Sequence, residues 1–260
     1  MLLTIDIGNT STHFGVFDGD ALTVQFRLST NRNMSADELG IQLRHLLAYS
    51  NLAVEKLSAA IVCSVVPELD YAYRLAAERY IFVPITFVTR ETPLGMPILV
   101  RNPEEVGADR IVDAVGAFER YGGGLMIVDF GTAITFDVVS PKGEYLGGAI
   151  APGLKIALDA LFQRTAKLPR IDLVPPEHAL GRTTIESMRS GVFHGYAGLV
   201  DGCVNAIRGE VDFPTRVIGT GGHITLVKGL SKTLEIFDKE LTLHGLKVIH
   251  GRLAGAPNPA

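Results

Sequence analysis

The chain has 260 residues, 47% of them hydrophobic, enough for a well-buried core in one large domain or two of ordinary size. A net charge of −4 carries no electrostatic footprint for nucleic acid, and no run of Lys or Arg suggests a membrane-surface patch. No apolar stretch approaches the roughly 18 residues that cross a bilayer, the start Met1-Leu2-Leu3-Thr4-Ile5-Asp6 meets an acid too soon for a signal peptide, and two distant cysteines, Cys63 and Cys203, fit core thiols in a reducing cytoplasm better than a disulfide framework.

In chain order, Leu2 to Ile7 reads as a buried strand, Gly8 as a turn and Thr12 to Phe17 as its partner strand. Asp18-Gly19 is a hairpin signal, and Leu22 to Leu28 completes a three-strand meander. Ser35 and Glu38 have capping-box spacing ahead of a helix that places Leu39, Leu43, Leu46 and Leu47 on one face. A strand over Ala59 to Val66 leads to Pro67 in the first turn of a helix running toward Tyr80, then a strand over Ile85 to Val88. A helix starts around Asp109 with Ile111, Val112, Val115 and Phe118 on one side, and Gly122-Gly123-Gly124 stops it.

The second half repeats this order. Strands are expected over Leu125 to Asp129, Ile134 to Val139 and Tyr145 to Ile150, with a Lys142-Gly143 hairpin. A helix from Leu154 to about Ala166, an irregular Pro-containing loop and a long helix from Thr184 to Arg208 follow. Then come a strand over Arg216 to Gly219, the turn Thr220-Gly221-Gly222, a short strand near Glu235 to Phe237 and a helix over Leu241 to Arg252. The acid–Gly pair recurs at an offset of 129 − 6 = 123 residues, which aligns Asp6 with Asp129, Gly8 with Gly131 and Thr12 with Thr135. That is a duplication on the scale of a domain. The expected division is 1–119, 120–252 and a flexible tail over 253–260, with a nucleotide cleft between the halves.

Three segments carry chemistry. A carboxylate at a strand end, Asp6, followed by Gly8 and the short polar residues Asn9, Thr10, Ser11 and Thr12, suits a phosphate and a hydrated Mg²⁺, although the same residues also make an ordinary turn. Gly107-Ala108-Asp109-Arg110 places a carboxylate beside a guanidinium at a helix start: Asp109 is either a helix cap or a base for an attacking hydroxyl, and Arg110 can grip an anion. Thr184 is read as an N-cap or a substrate contact, Asp113 as solvated or salt-bridged, and His13 and His223 as structural or solvent-facing. There is no Gly-x4-Gly-Lys-[Ser/Thr], and Gly219 to Gly222 does not match a dinucleotide fingerprint.

Asp6-Ile7-Gly8-Asn9-Thr10, Asn102-Pro103-x-Glu105-Val106-Gly107-Ala108-Asp109-Arg110 and Asp129-Phe130-Gly131-Thr132-Ala133, in this order and spacing, resemble the type III pantothenate kinases over about Leu2 to Gly251. The resemblance implies an α/β fold of two RNase H-like (actin-like ATPase) halves with the active site between them. It implies a homodimer whose second subunit helps shape the pantothenate pocket, and transfer of the ATP γ-phosphoryl group to pantothenate. Mg²⁺ and a monovalent cation, K⁺ or NH₄⁺, are the implied cofactors. Carried over residue by residue, Asp6, Ile7, Gly8, Asn9, Thr10, Ser11, Thr12 and His13 would hold ATP phosphates, with Asp6 near Mg²⁺ and Thr132 also touching ATP. Gly107, Ala108, Asp109, Arg110 and Thr184 would bind pantothenate, Asp109 would be the general base, and Asp129 would ligate the monovalent cation. Val100 departs from the pattern, because it stands at the substrate pocket where relatives often carry a tyrosine. Two other readings stay open: a non-catalytic transcription accessory protein on the same fold, and a kinase of another small hydroxyl compound.

Overall fold

The computed structural model describes residues 1–255. The first half contains β1 (Leu2–Ile7), β2 (Ser11–Asp18), β3 (Ala21–Ser29), α1 (Ala36–Tyr49), β4 (Ala59–Ser64), α2 (Pro67–Ala76), β5 (Ile85–Phe87) and α3 (Ala108–Tyr121). The second contains β6 (Leu125–Phe130), β7 (Ala133–Val139), β8 (Tyr145–Pro152), α4 (Leu154–Arg164), α5 (Thr184–Arg208), β9 (Arg216–Thr220), β10 (Ile236–Phe237) and α6 (Leu241–Gly255). These elements form two compact units: residues 1–95, 102–119 and 241–255, and residues 96–101 and 120–240. Among the described residues no helix is long and apolar enough to cross a membrane.

The first unit is built on a five-stranded sheet of order β3-β2-β1-β4-β5. β1, β2 and β3 form the antiparallel meander, with Gly19 at φ 57 in the turn, while β1, β4 and β5 run parallel. β1 is buried on both faces, as its nearly unbroken apolar run demands. One face meets α1 and α2 through Leu39, Leu43, Leu47 and Leu69. Both halves of the capping box form at α1: Glu38 N–H donates to Ser35 Oγ at 3.2 Å, and Ser35 N–H donates to Glu38 Oε2 at 2.8 Å.

α6 lies against β1, β2 and β4 of this same sheet, with Leu241, Leu243, Leu246 and Ile249 buried. The split expected from sequence put this helix in the second half. The structure places it in the first unit because β1 needs cover on both faces and α1 and α2 supply only one. The helix also runs through Gly255, so 253–255 are helical; the rest of the expected tail, 256–260, lies outside the described residues.

The second unit repeats the plan. Its sheet has the order β10-β9-β6-β7-β8, so β6, β7, β8, β9 and β10 take the roles of β1 to β5. Val128, Phe130 and Phe136 pack with Ala197, Val200 and Val204 of α5. The repeat slips by one residue at the first turn. Asp6 pairs with His13, but Asp129 pairs with Thr135, so the counterpart of Thr135 is His13 and not Thr12 as the sequence offset had it. The turn after β6 is one residue tighter, which a fixed offset cannot register.

Candidate functional site

In the first unit, Asp6 stands near the carboxyl end of β1, paired with His13 on β2 and Cys63 on β4. The turn that follows is clamped. Gly8 N–H donates to the Ser11 carbonyl at 3.2 Å, and Thr30 Oγ1 donates to the Gly8 carbonyl at 2.7 Å. Arg32 Nη2 donates to Asn9 Oδ1 at 2.7 Å. Asn9 and Thr10 are exposed, whereas Thr12 and His13 are buried. The turn therefore presents short polar side chains on a fixed backbone. Loss of hydration lifts the Asp6 carboxyl to about 7, the nearby Asp109 charge adds to the rise, and the Arg27 guanidinium opposes it.

Asp109 lies in the first turn of α3 and also belongs to this unit. Its Oδ1 accepts the Arg110 N–H at 2.8 Å. A Cβ on Gly107 would lie 2.5 Å from that same oxygen, so only glycine leaves room for the carboxylate in this pose. Desolvation raises the Asp109 carboxyl, and the N–H and guanidinium of Arg110 pull it back down. The pose satisfies the capping reading of Asp109 in part, yet its second oxygen is not used in that bond. Ile7 is buried at the end of β1, and Gly107, Ala108 and Arg110 are half-buried around the start of α3.

Asp113 is not solvated: it is 4% exposed. Further along the same helix, Gly116 and Gly245 let α3 and α6 nearly touch. Cys63 is buried, its thiol is pushed well up by desolvation, and Asp6, Asp109, Asp113 and Asp70 all add to that effect. It is an inert core thiol, as expected, and it marks the middle of an acidic neighbourhood.

The second unit holds the other predicted residues. Asp129 is the last residue but one of β6, flanked by Gly131 and Gly221: a Cβ on these would lie 3.2 Å and 2.2 Å, respectively, from its carboxylate oxygens. Thr132 is exposed in the turn to β7. Val100 packs beside Gly147 of β8, where an added Cβ would be 3.4 Å from Val100 Cγ1, and the neighbouring Leu99 N–H donates to the Tyr145 carbonyl at 2.8 Å. Thr184 is exposed in the first turn of α5. It is not the cap: Thr183 Oγ1 accepts the Glu186 N–H at 3.2 Å, which leaves the Thr184 hydroxyl out of the capping role.

Two features escaped the sequence. Asp137, 1% exposed, accepts from Thr135 at 2.9 Å and from Tyr145 at 2.6 Å; alternation along β7 gave no sign of a buried acid. Arg27 bonds His13 across the β2–β3 ladder, which only the strand register reveals.

The duplicated mixed sheet and the acid–Gly turn at the end of each central strand define the two-domain fold of the actin-like ATPases and sugar kinases. Solved structures agree on the fold. A protein described as a conserved Baf family transcriptional activator from Campylobacter jejuni matches 98% of this chain and 100% of its own, with a TM-score of 0.60 at 19% identity. A protein described as a 2-dehydro-3-deoxygalactonokinase from Sinorhizobium meliloti matches 100% and 99%, with a TM-score of 0.59 at 14% identity. Residues 2–206 match the family described as type III pantothenate kinase, and a type III pantothenate kinase of Myxococcus xanthus (strain DK1622) is 48% identical over 252 residues, 97% of this chain and 98% of that protein. The chain belongs to the type III pantothenate kinase family.

Proposed function

We propose that the chain phosphorylates pantothenate with ATP, giving 4′-phosphopantothenate, the first step of coenzyme A biosynthesis, and that Asp109 is the general base. The observation that carries the choice of base is the Asp109 pose. It is a desolvated carboxylate held by backbone N–H groups, in the Gly-Ala-Asp-Arg turn that marks the family. A raised carboxyl is a better proton acceptor near neutral pH than an ordinary one.

In the step itself, the primary hydroxyl of pantothenate gives its proton to Asp109 and its oxygen bonds the γ-phosphorus. The bond from γ-phosphorus to the bridging oxygen breaks, and ADP leaves with that electron pair. Arg110 would hold the pantothenate carboxylate, with Thr184 and the Val100 surface completing substrate contacts. The Asp6–His13 turn would hold the phosphates through its N–H and hydroxyl groups, and Thr132 would touch the nucleotide.

Asp6 would hold Mg²⁺. A desolvated carboxylate lifted to about 7 and pressed by a second acid is a donor that a divalent cation would favour. Held there, Mg²⁺ would offset the negative charge of the phosphates. Asp129 would hold K⁺ or NH₄⁺, since the absence of side chains at Gly131 and Gly221 leaves backbone close around its carboxylate.

A cytoplasmic homodimer is part of the same reading. Ile156, Leu161, Phe162, Leu180 and Ile185 are large apolar residues left exposed on one stretch of the second unit, the stretch that contains Thr184. Large apolar side chains left exposed along one segment favour a protein partner over solvent. The test is phosphorylation of pantothenate by the purified chain with ATP and Mg²⁺ in potassium, ammonium or sodium salts. Turnover in potassium or ammonium is expected. No turnover in any salt from folded protein overturns the reading, and turnover only on another hydroxyl compound in a substrate panel redirects it. An Asp109→Asn variant that kept full cellular function would revive the accessory-protein reading.

A further inference from the structure

We propose that Arg27 is a phosphate-binding residue of the nucleotide site, held in position by His13. The proposal rests on the reading that the Asp6–His13 turn takes the ATP phosphates. Asp6, His13 and Arg27 form one cross-strand row, since Asp6 pairs with His13 and His13 with Arg27. Residues so paired point to the same face of the sheet.

The row has a fixed internal order. Arg27 Nη2 lies 3.2 Å from His13 Nδ1, and His13 Nε2 lies 3.2 Å from Gln25 Oε1. A guanidinium can only donate, so Nδ1 must accept. The ring proton is then on Nε2, where it donates to Gln25. One tautomer satisfies both bonds, and the neutral ring acts as a strut between two side chains. His13 is buried and Arg27 is exposed. The strut therefore fixes one edge of the guanidinium and leaves its remaining N–H groups facing solvent.

The charge has a use there. Arg32 on Asn9 and Arg110 beside Asp109 are cations of this neighbourhood, but apart from Arg27 the charges that act on Asp6 and Cys63 are all acids: Asp109 acts on Asp6, and Asp70 and Asp113 join both in acting on Cys63. A polyanion brought to this turn is repelled by that set. Arg27 is close enough for its charge to act on Asp6, and a guanidinium fork matches phosphate oxygens in geometry as well as in sign.

The duplicated half supplies an internal control. The corresponding row there is Asp129, Thr135 and Ile150, with Asp129 paired to Thr135 and Thr135 to Ile150. A hydroxyl replaces the imidazole, and an exposed isoleucine replaces the cation. The arginine belongs to the turn read as the phosphate holder and is missing from the turn read as a monovalent-cation site.

The test uses the full chain and three variants. Loss of one charge-assisted contact in Arg27→Gln should raise KM for ATP about tenfold or more and leave the melting temperature unchanged. KM for pantothenate should stay within about twofold of the parent value. Inorganic tripolyphosphate, as a competitor of ATP, should weaken by the same factor, and adenosine should not. Arg27→Lys should recover part of the loss, because it restores the charge without the fork. Gly8→Val, which fills the turn, separates the two layers of the argument. If Gly8→Val raises KM for ATP and Arg27→Gln does not, the Arg27 assignment is overturned and the turn reading stands. If neither changes it, the turn reading falls with it. A drop in melting temperature and kcat in Arg27→Gln with KM for ATP unchanged makes Arg27 a structural residue and also overturns the proposal.

Discussion

Asp109 and Asp6 are carboxylates that their surroundings make harder to ionise, and each has a consequence in pH. A base must be ionised to work. The Asp109 carboxyl is raised, so kcat/KM should fall on acidification at a pH above the ordinary carboxylate value of about 4. Arg110→Ala keeps the backbone N–H bond but removes the charge that holds this carboxyl down, so the acid limb should move to still higher pH. A limb at the ordinary carboxylate position in both proteins would falsify the role of Asp109. Asp109→Asn should lower kcat by about 10²–10⁴ with folding intact, measured by steady-state kinetics beside a thermal melt. For Asp6 the sign concerns stability. Its carboxyl is raised from 3.8 to about 7, so between these values the folded nucleotide-free chain binds the proton more tightly than the unfolded chain. Stability from this group is full below the lower value and is lost as pH rises through the upper one. Asp6→Asn should therefore melt higher than the parent at pH 8 while phosphoryl transfer disappears. An equal or lower melting temperature would count against the desolvation account. Among single residues, the acids at strand ends and helix starts were legible from their position in the sequence. The burial of Asp113 was not, because it follows from what packs against α3 once the unit has folded.

At the scale of elements, the crossing of α3 and α6 is set by two glycines. A Cβ on Gly116 would lie 2.9 Å from the Gly245 backbone, and one on Gly245 would lie 2.1 Å from the Val112 carbonyl oxygen. Alanine favours a helix over glycine by about 1 kcal/mol, but overpacking a rigid contact typically costs 1–3 kcal/mol, so Gly245→Ala should come out destabilising in a denaturant titration. A stabilised variant would show that the helices separate at little cost. Most elements were readable from local signals. The Ser35–Glu38 box, Pro67 and the glycines after Tyr121 act within a few residues of where they stand, and α5 begins and ends where its pattern does. Two local details were not readable. The cap of α5 is Thr183 and not its neighbour, since both are threonines and only backbone direction distinguishes them. The one-residue slip between the two turns lies in the pairing register, which a sequence offset does not encode.

At the scale of the whole molecule, the chain returns to its beginning. α6 seals the face of β1 that α1 and α2 leave open. Removing 241–260 exposes that face and withdraws four buried apolar side chains, each worth about 1.5–3 kcal/mol, an amount comparable to the stability of a domain. Hydrogen exchange on the truncated chain should show protection lost over 1–95 and retained over 120–240; retained protection in both would mean that α6 is dispensable. For the proposed dimer, Leu161→Glu with Leu180→Glu should shift the chain from dimer to monomer in sedimentation, and an unchanged mass places the interface elsewhere. What the sequence determined by itself was the order and type of elements, the duplication and the residues able to do phosphoryl chemistry, because capping, alternation and turn formation are all short-range. What only the tertiary structure decided was which unit α6 completes, which acids are desolvated, and that Arg27 stands in one row with Asp6. Each of these depends on strands and helices meeting across tens or hundreds of residues, and burial and cross-strand register exist only once they have met.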